Sequence, residues 1–191
     1  MFLENRIIDY EDNESDILHW VQLKGEYRYH SIIDFLCQEG IECSWKNIAN
    51  YIKYDKRLLI NSFKYIVFLE ELFKSFVIEH LEIKQSKVIN YSFSTVLDKY
   101  LSIGEKANYD GIDLLTLENE KETIILFRNR VVHNKILLDR SYNKHSLEEV
   151  LQIFVKALPQ SYREGFIKDI NNCSKRLVDN LWHINFLENR Q

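Results

Sequence analysis

Residues 127–135 read FRNRVVHNK. Arg128 and His133 stand five positions apart, with Asn129, Arg130, Asn134 and Lys135 beside them. An imidazole takes or gives a proton near neutral pH. A guanidinium stays protonated and grips two oxygens of a carboxylate or phosphate at once. Yet the stretch lies within TIILFRNRVVHNKILL, which otherwise has the composition of a core. Burying such groups without partners would cost several kcal/mol each, so something must satisfy them. A phosphate or a second subunit would do so. So would acids of a packed helix, with Glu70, Glu71 and Glu79 as candidates upstream. In that case Arg128 and Arg130 are salt-bridge partners and His133 is a hydrogen-bonded core histidine.

The charge pattern sharpens the question. From Lys121 to His145 six basic residues (Lys121, Arg128, Arg130, Lys135, Arg140, Lys144) face two acidic ones (Glu122, Asp139). That window is basic within a chain of net charge −4, which argues for a local anion site and against a general nucleic-acid coat. Cys37, Cys43 and Cys173 are an odd number with no close pair, so disulfides are not expected. The histidines show no HxxxH and the cysteines no CxxC. His30, Cys37 and Cys43 are spaced too loosely for a zinc site, so no metal is assigned.

The elements that must hold these residues are helical. Only 5 Gly and 1 Pro occur in 191 residues, too few for a turn-rich β fold. No apolar run approaches a membrane span, and MFLENRIIDYEDNESD lacks the build of a signal peptide, so a cytoplasmic protein is expected. The pattern predicts short helices after Ser15, from Ser31 to Gly40, and after Ser44. DKRLLINSFKYIVFLEELFKSFVIEHLEI then gives a long helix over 55–83, N-capped by Asp55, with apolar residues at three- and four-residue steps. SFSTVLDKYLS is a shorter helix, and 102–117 is a connecting loop. The motif helix spans 118–138. Ser146 and Glu149 form a capping box for the next helix, which Pro159 ends. A final helix covers about 161–189. On a helical wheel Ile124, Phe127, Val131 and Leu138 form one apolar stripe, and Ile125, Val132 and Ile136 a second. Asn129 and His133 share a face beside the second stripe. These features describe an all-α bundle, two long antiparallel helices with shorter ones around them. Residues 1–44 form an N-terminal helical extension and 45–191 the main bundle, as one compact unit.

RNRVVH resembles the Arg-x4-His motif of HEPN domains, in the form where Asn follows Arg. The order is similar too: a long helix containing FLEELFKSFV, an irregular middle, then the motif helix. Within that superfamily the chain is most similar to abortive-infection (Abi-like) proteins. YIKYDKRLLINSFKYIVFLEELFKSFVIEHL and LPQSYREGFIKDI carry the resemblance, which covers about residues 45–180. Residues 1–40 match nothing in the family. The resemblance implies a bundle of four to five core helices with extra N-terminal helices. It also implies metal-independent RNA cleavage by Arg128 and His133, without cofactors, in a toxin or anti-phage endoribonuclease. The chemistry is self-consistent. RNA carries its own nucleophile, the 2′-OH, so cleavage needs a proton carrier, His133, and a cation for the charge on the phosphoryl oxygens, Arg128. Asn129 would orient the histidine or donate to phosphate. DNA lacks the 2′-OH and should survive.

One histidine does not readily serve as base and acid in one step. HEPN proteins commonly pair two motifs across one cleft, so a homodimer with the motif helices facing across the axis is expected. Arg130, Asn134, Lys135, Arg140 and Lys144 would line the approach for RNA, unless they are simply a solvated helix end. Tyr142 is a candidate to stack a base. An antitoxin or other regulatory protein is a further candidate partner. The alternative is a non-catalytic module that binds a nucleotide, an RNA or a protein through the same cleft.

Overall fold

The computed structural model describes residues 3–139, 144–177, 182–184 and 186. Among these every regular element is helical, as the sequence predicts. The spine is α3, Trp45–Leu81, 37 residues without Gly or Pro and about 55 Å long at 1.5 Å per residue. Ser44 caps it, accepting from Asn47 N–H, and Glu82 ends it in the left-handed region at φ 52°. Its buried positions recur at helical spacing, from Ile48 through Leu58, Leu59, Tyr65, Ile66 and Leu69 to Val77.

Before it come α1, Tyr10–Lys24, and α2, Glu26–Gln38. After it come α4, Gln85–Val88, α5, Phe93–Ser102, a 3-10 turn at Gly104–Ala107, and α6, Leu114–Asn119. The motif helix is α7, Lys121–Val132, followed by α8, Leu147–Ala157, and α9, Gln160–Asn172. A 3-10 turn at Cys173–Arg176 follows α9. The segments α2, α5, α7 and α9 all pack on α3. One aromatic chain runs through the centre: Phe127 on Phe154, Phe154 on Phe166, and Phe166 on Tyr65, with centroids 5.0–5.3 Å apart. Gly165 lets α9 approach, since a Cβ there would meet the Tyr65 hydroxyl at 3.2 Å.

The N-terminal extension shares this core. Leu3, Ile7, Ile17, Ile32, Ile33 and Leu36 are buried with residues of α3. Tyr29 stacks on Trp45, and Phe35 packs on Tyr51.

Several boundaries differ from expectation. Ser31 is no N-cap: it is buried within α2, which starts after Gly25 at φ 84°. Asp55 is no N-cap either. The segment capped by Ser44 runs unbroken into the long helix, and the Asp55 side chain is buried for another purpose. The 102–117 connection holds two helical turns. The last helix stops at Asn172. Among the described residues only α3 is a long helix, and α7 ends at Val132 rather than 138. The capping box at Ser146 and Glu149 and the stop before Pro159 form as predicted.

Candidate functional site

The end of α7 explains the site. Asn134 adopts the left-handed conformation at φ 53°, which Asn tolerates better than most residues. Its N–H donates to the Val131 carbonyl at 3.2 Å, and Lys135 N–H donates to the Arg130 carbonyl at 2.8 Å. This double bond pattern is a Schellman stop. His133 is therefore the last residue of the helix end, exposed, on the same face as Leu126 and Asn129. Among the described residues its ring has no hydrogen-bond partner.

Arg128 turns toward α3. Its Nε and Nη2 donate to Glu70 Oε2 at 3.1 and 2.8 Å, and Nη1 donates to Asn129 Oδ1 at 3.2 Å. The guanidinium also lies over the Phe93 ring, 5.6 Å from its centre. Burial pushes the Glu70 carboxyl up, but hydrogen bonds from Lys74 and Arg128 outweigh it and hold the group below its ordinary range. Glu70 was one of three acids that could receive Arg128, and it does. Of the five guanidinium N–H groups, two have no partner among the described residues.

Arg130 turns the other way and is buried, 8% exposed. Its Nε and Nη2 donate to the Ile136 carbonyl, and Nη2 reaches Asp139 Oδ2 at 3.1 Å. Tyr27 of α2 donates to the same Asp139 oxygen at 2.6 Å. The expectation that Arg130 lines an approach for RNA is thus corrected: it clasps the segment that follows α7.

That segment, 136–139, is a buried strap. Leu137 and Leu138 N–H donate to Asp55 Oδ1 at 2.7 and 3.1 Å. Asp55 is fully buried, with Arg28 Nη1 at 3.8 Å from its second oxygen. Burial raises its carboxyl to about 6, against the lowering effect of the two N–H donors, Arg28 and Arg130. Ile136 and Leu138 therefore belong to this strap, and the two apolar stripes stop with the helix. Ile124, Phe127 and Val131 are buried; Ile125 and Val132 are half-buried.

The remaining expected contacts separate. Asn134 is exposed, its Oδ1 accepting from Lys56 Nζ at 2.8 Å and its carbonyl from Arg28 Nη2 at 3.1 Å. Lys135 is exposed and lines a small hollow with Lys24, Arg28 and Asn134. Lys144 lies at the other end of α7. It helps Thr123 and His145 hold the Glu120 carboxyl low against burial. Lys144 is therefore about a helix length, roughly 18 Å, from His133, and the expectation that it lines the approach is corrected. Arg140 and Tyr142 fall outside the described residues. Lys121 pairs with Asp98. Of the window's described cations, Lys121, Arg128 and Arg130 are paired with acids, and Lys135 and Lys144 lie at opposite ends of α7.

His30 pairs with Glu26 at 3.3 Å, and the Cys37 and Cys43 sulfurs lie 3.4 Å apart. Among the described residues no group of three His, Cys, Asp or Glu is arranged to hold a metal ion, and no helix is long and apolar enough to cross a membrane. No family model, curated protein or solved structure matches the chain.

Proposed function

We propose that the chain is a metal-independent endoribonuclease of the HEPN, Abi-like type, acting in the cytoplasm as a two-fold dimer. The observation that carries this reading is the exposed His133 ring at the end of α7, one turn from Asn129, which itself holds Arg128. The 2′-oxygen of a bound RNA attacks the adjacent phosphorus, and the bond to the 5′-oxygen breaks. One imidazole takes the 2′-OH proton, and the 5′-oxygen receives a proton from the imidazole of the second copy. The products are a 2′,3′-cyclic phosphate and a 5′-OH. The two remaining N–H groups of Arg128 face the developing phosphoryl charge, while Glu70 fixes the fork in place. Exposed apolar side chains support the dimer: Leu126 beside Asn129 and His133 on α7, and Ile60 and Phe63 on α3. Such an activity suits a toxin or anti-phage protein restrained by a regulatory partner.

Expression of the wild-type chain in a bacterial host is expected to arrest growth and fragment RNA. His133→Ala should abolish both with an unchanged melting curve. Arg128→Ala is a poor test, since it also strips the half-buried Glu70 of one of its two cationic partners and leaves Lys74 alone. Arg128→Lys keeps the charge and loses the fork, so cleavage should fall by about two orders of magnitude. Intact RNA after incubation with wild-type protein overturns the reading.

One observation favours a second reading, a non-catalytic module that binds RNA, a nucleotide or a protein: Arg128 is already paired with Glu70. In that case His133→Ala leaves phenotype and binding as in the wild type.

A further inference from the structure

A hollow of about 850 Å³ opens between α1, α2 and the N-terminal half of α3, within the size range of ligand sites. Five of its lining side chains are cations: Lys24 from α1, Arg28 from α2, and Lys53, Lys56 and Arg57 from α3. Asn50 and Asn134 add amides, and no carboxylate is among the lining residues. In a chain of net charge −4 this is a concentration of charge, not a reflection of composition.

The three lysines of this set, Lys24, Lys53 and Lys56, meet no acid among the described residues, and the two arginines are aimed by backbone carbonyls. Lys56 donates to the Asn134 amide. Two backbone carbonyls aim the guanidiniums, Asn134 for Arg28 at 3.1 Å and Cys173 for Arg57 at 2.8 Å. The acid beside Arg28 is Asp55, 3.8 Å away on the buried side and itself engaged by the strap. Like charges so arranged repel one another unless an anion joins them.

Lys24 and Arg28 from α1 and α2, facing Lys53 and Lys56 from α3, match phosphates repeated along a strand better than a single phosphate group. No aromatic ring is among the lining residues, so recognition falls on the backbone and not on base faces. Asn134, the residue after His133, is itself a lining residue, bonded to Arg28 and Lys56. We infer that this hollow binds the sugar–phosphate backbone of a single RNA strand and leads it past Asn134 to His133. The inference rests on the ribonuclease reading for the identity of the anion. It also assigns a role to the N-terminal extension, which supplies Lys24 and Arg28.

The test uses the full-length chain carrying His133→Ala, so that the probe survives, and follows the fluorescence anisotropy of a labelled 12-nucleotide single-stranded RNA. Lys24→Gln with Lys53→Gln removes one solvent-exposed cation from each wall. Binding should weaken about tenfold, and the slope of log affinity against log salt should flatten by about 1.4, or 0.7 per lost phosphate contact. Lys87→Gln with Lys106→Gln changes net charge equally near the far end of α3 and should leave affinity unchanged. Equal affinity for both double variants overturns the hollow as the RNA site, even if His133-dependent cleavage stands. Displacement of the probe by a nucleoside triphosphate at micromolar concentration overturns the strand in favour of a nucleotide. Hollow-dependent binding without cleavage by the His133 form sinks the nuclease reading alone and leaves the RNA site standing.

Discussion

A buried carboxylate illustrates how single residues are decided by what surrounds them. Asp55 has the residue type of a helix cap, yet it sits inside α3 and receives two backbone N–H groups of the strap after the motif. Removing it to Ala would orphan both N–H groups and cost about 2–4 kcal/mol, whereas Asp55→Asn keeps an acceptor oxygen and should cost far less. The pH dependence has a definite sign. Burial raises the folded-state carboxyl from 3.8 to about 6, so the native chain binds this proton more tightly than the unfolded chain. Asp55 is then most favourable to stability below about pH 4, and that contribution declines as pH rises to about 6. Measured by urea denaturation, wild type should lose about 2–3 kcal/mol relative to Asp55→Asn across that window, with a constant difference above it. A pH-independent difference would contradict the burial argument. Arg128 and Arg130 make the same point with opposite outcomes: two residues apart and of identical type, one meets Glu70 on α3 and the other closes on its own strap.

Helix boundaries decide what the motif can do. If α7 continued to Leu138, His133 would lie mid-helix with its neighbours winding onward. The stop at Asn134 leaves His133 at an exposed end and turns Ile136, Leu137 and Leu138 into the core. The stop depends on a left-handed backbone at Asn134. Asn134→Ala should therefore lower stability by roughly 1–2 kcal/mol, and Asn134→Gly should stay close to wild type. Chemical denaturation of the two variants checks the order, and the reverse order would rule out the left-handed stop. The residue types around this turn hinted at it, since Asn is second only to Gly at such positions. The apolar ILL that follows was the stronger local pattern and pointed to more helix.

At the scale of the molecule, residues 1–44 are structural. Tyr29, Ile32, Phe35 and Leu36 cover the N-terminal half of α3. A chain beginning at 45 would strip Tyr29 from Trp45 and Phe35 from Tyr51, which is 0% exposed in the intact protein, and should fail to give a cooperative melting transition. Circular dichroism of the truncated chain tests this, and a sharp transition would show that the extension merely decorates the bundle. The charge distribution is also a property of the whole. The described members of the basic run are scattered to both ends of α7, while Lys24 and Arg28 converge in space with Lys53, Lys56 and Arg57. Three of those five, Lys53, Lys56 and Arg57, stand at i, i+3, i+4 on one helix face. The other two come from helices with no apparent link to it.

Periodicity, capping residues and the scarcity of Gly and Pro determined an all-helical chain, the extents of α5 and α8, the capping box at Ser146 and the Arg128–His133 spacing. These are local properties, set by steps of three and four residues and by the hydrogen bonds that end a helix. Tertiary structure alone decided that Asp55 anchors the strap, that Glu70 receives Arg128, and that five cations from three helices share one hollow. Each of those depends on which helix faces which, and helix packing brings together residues that no local spacing relates.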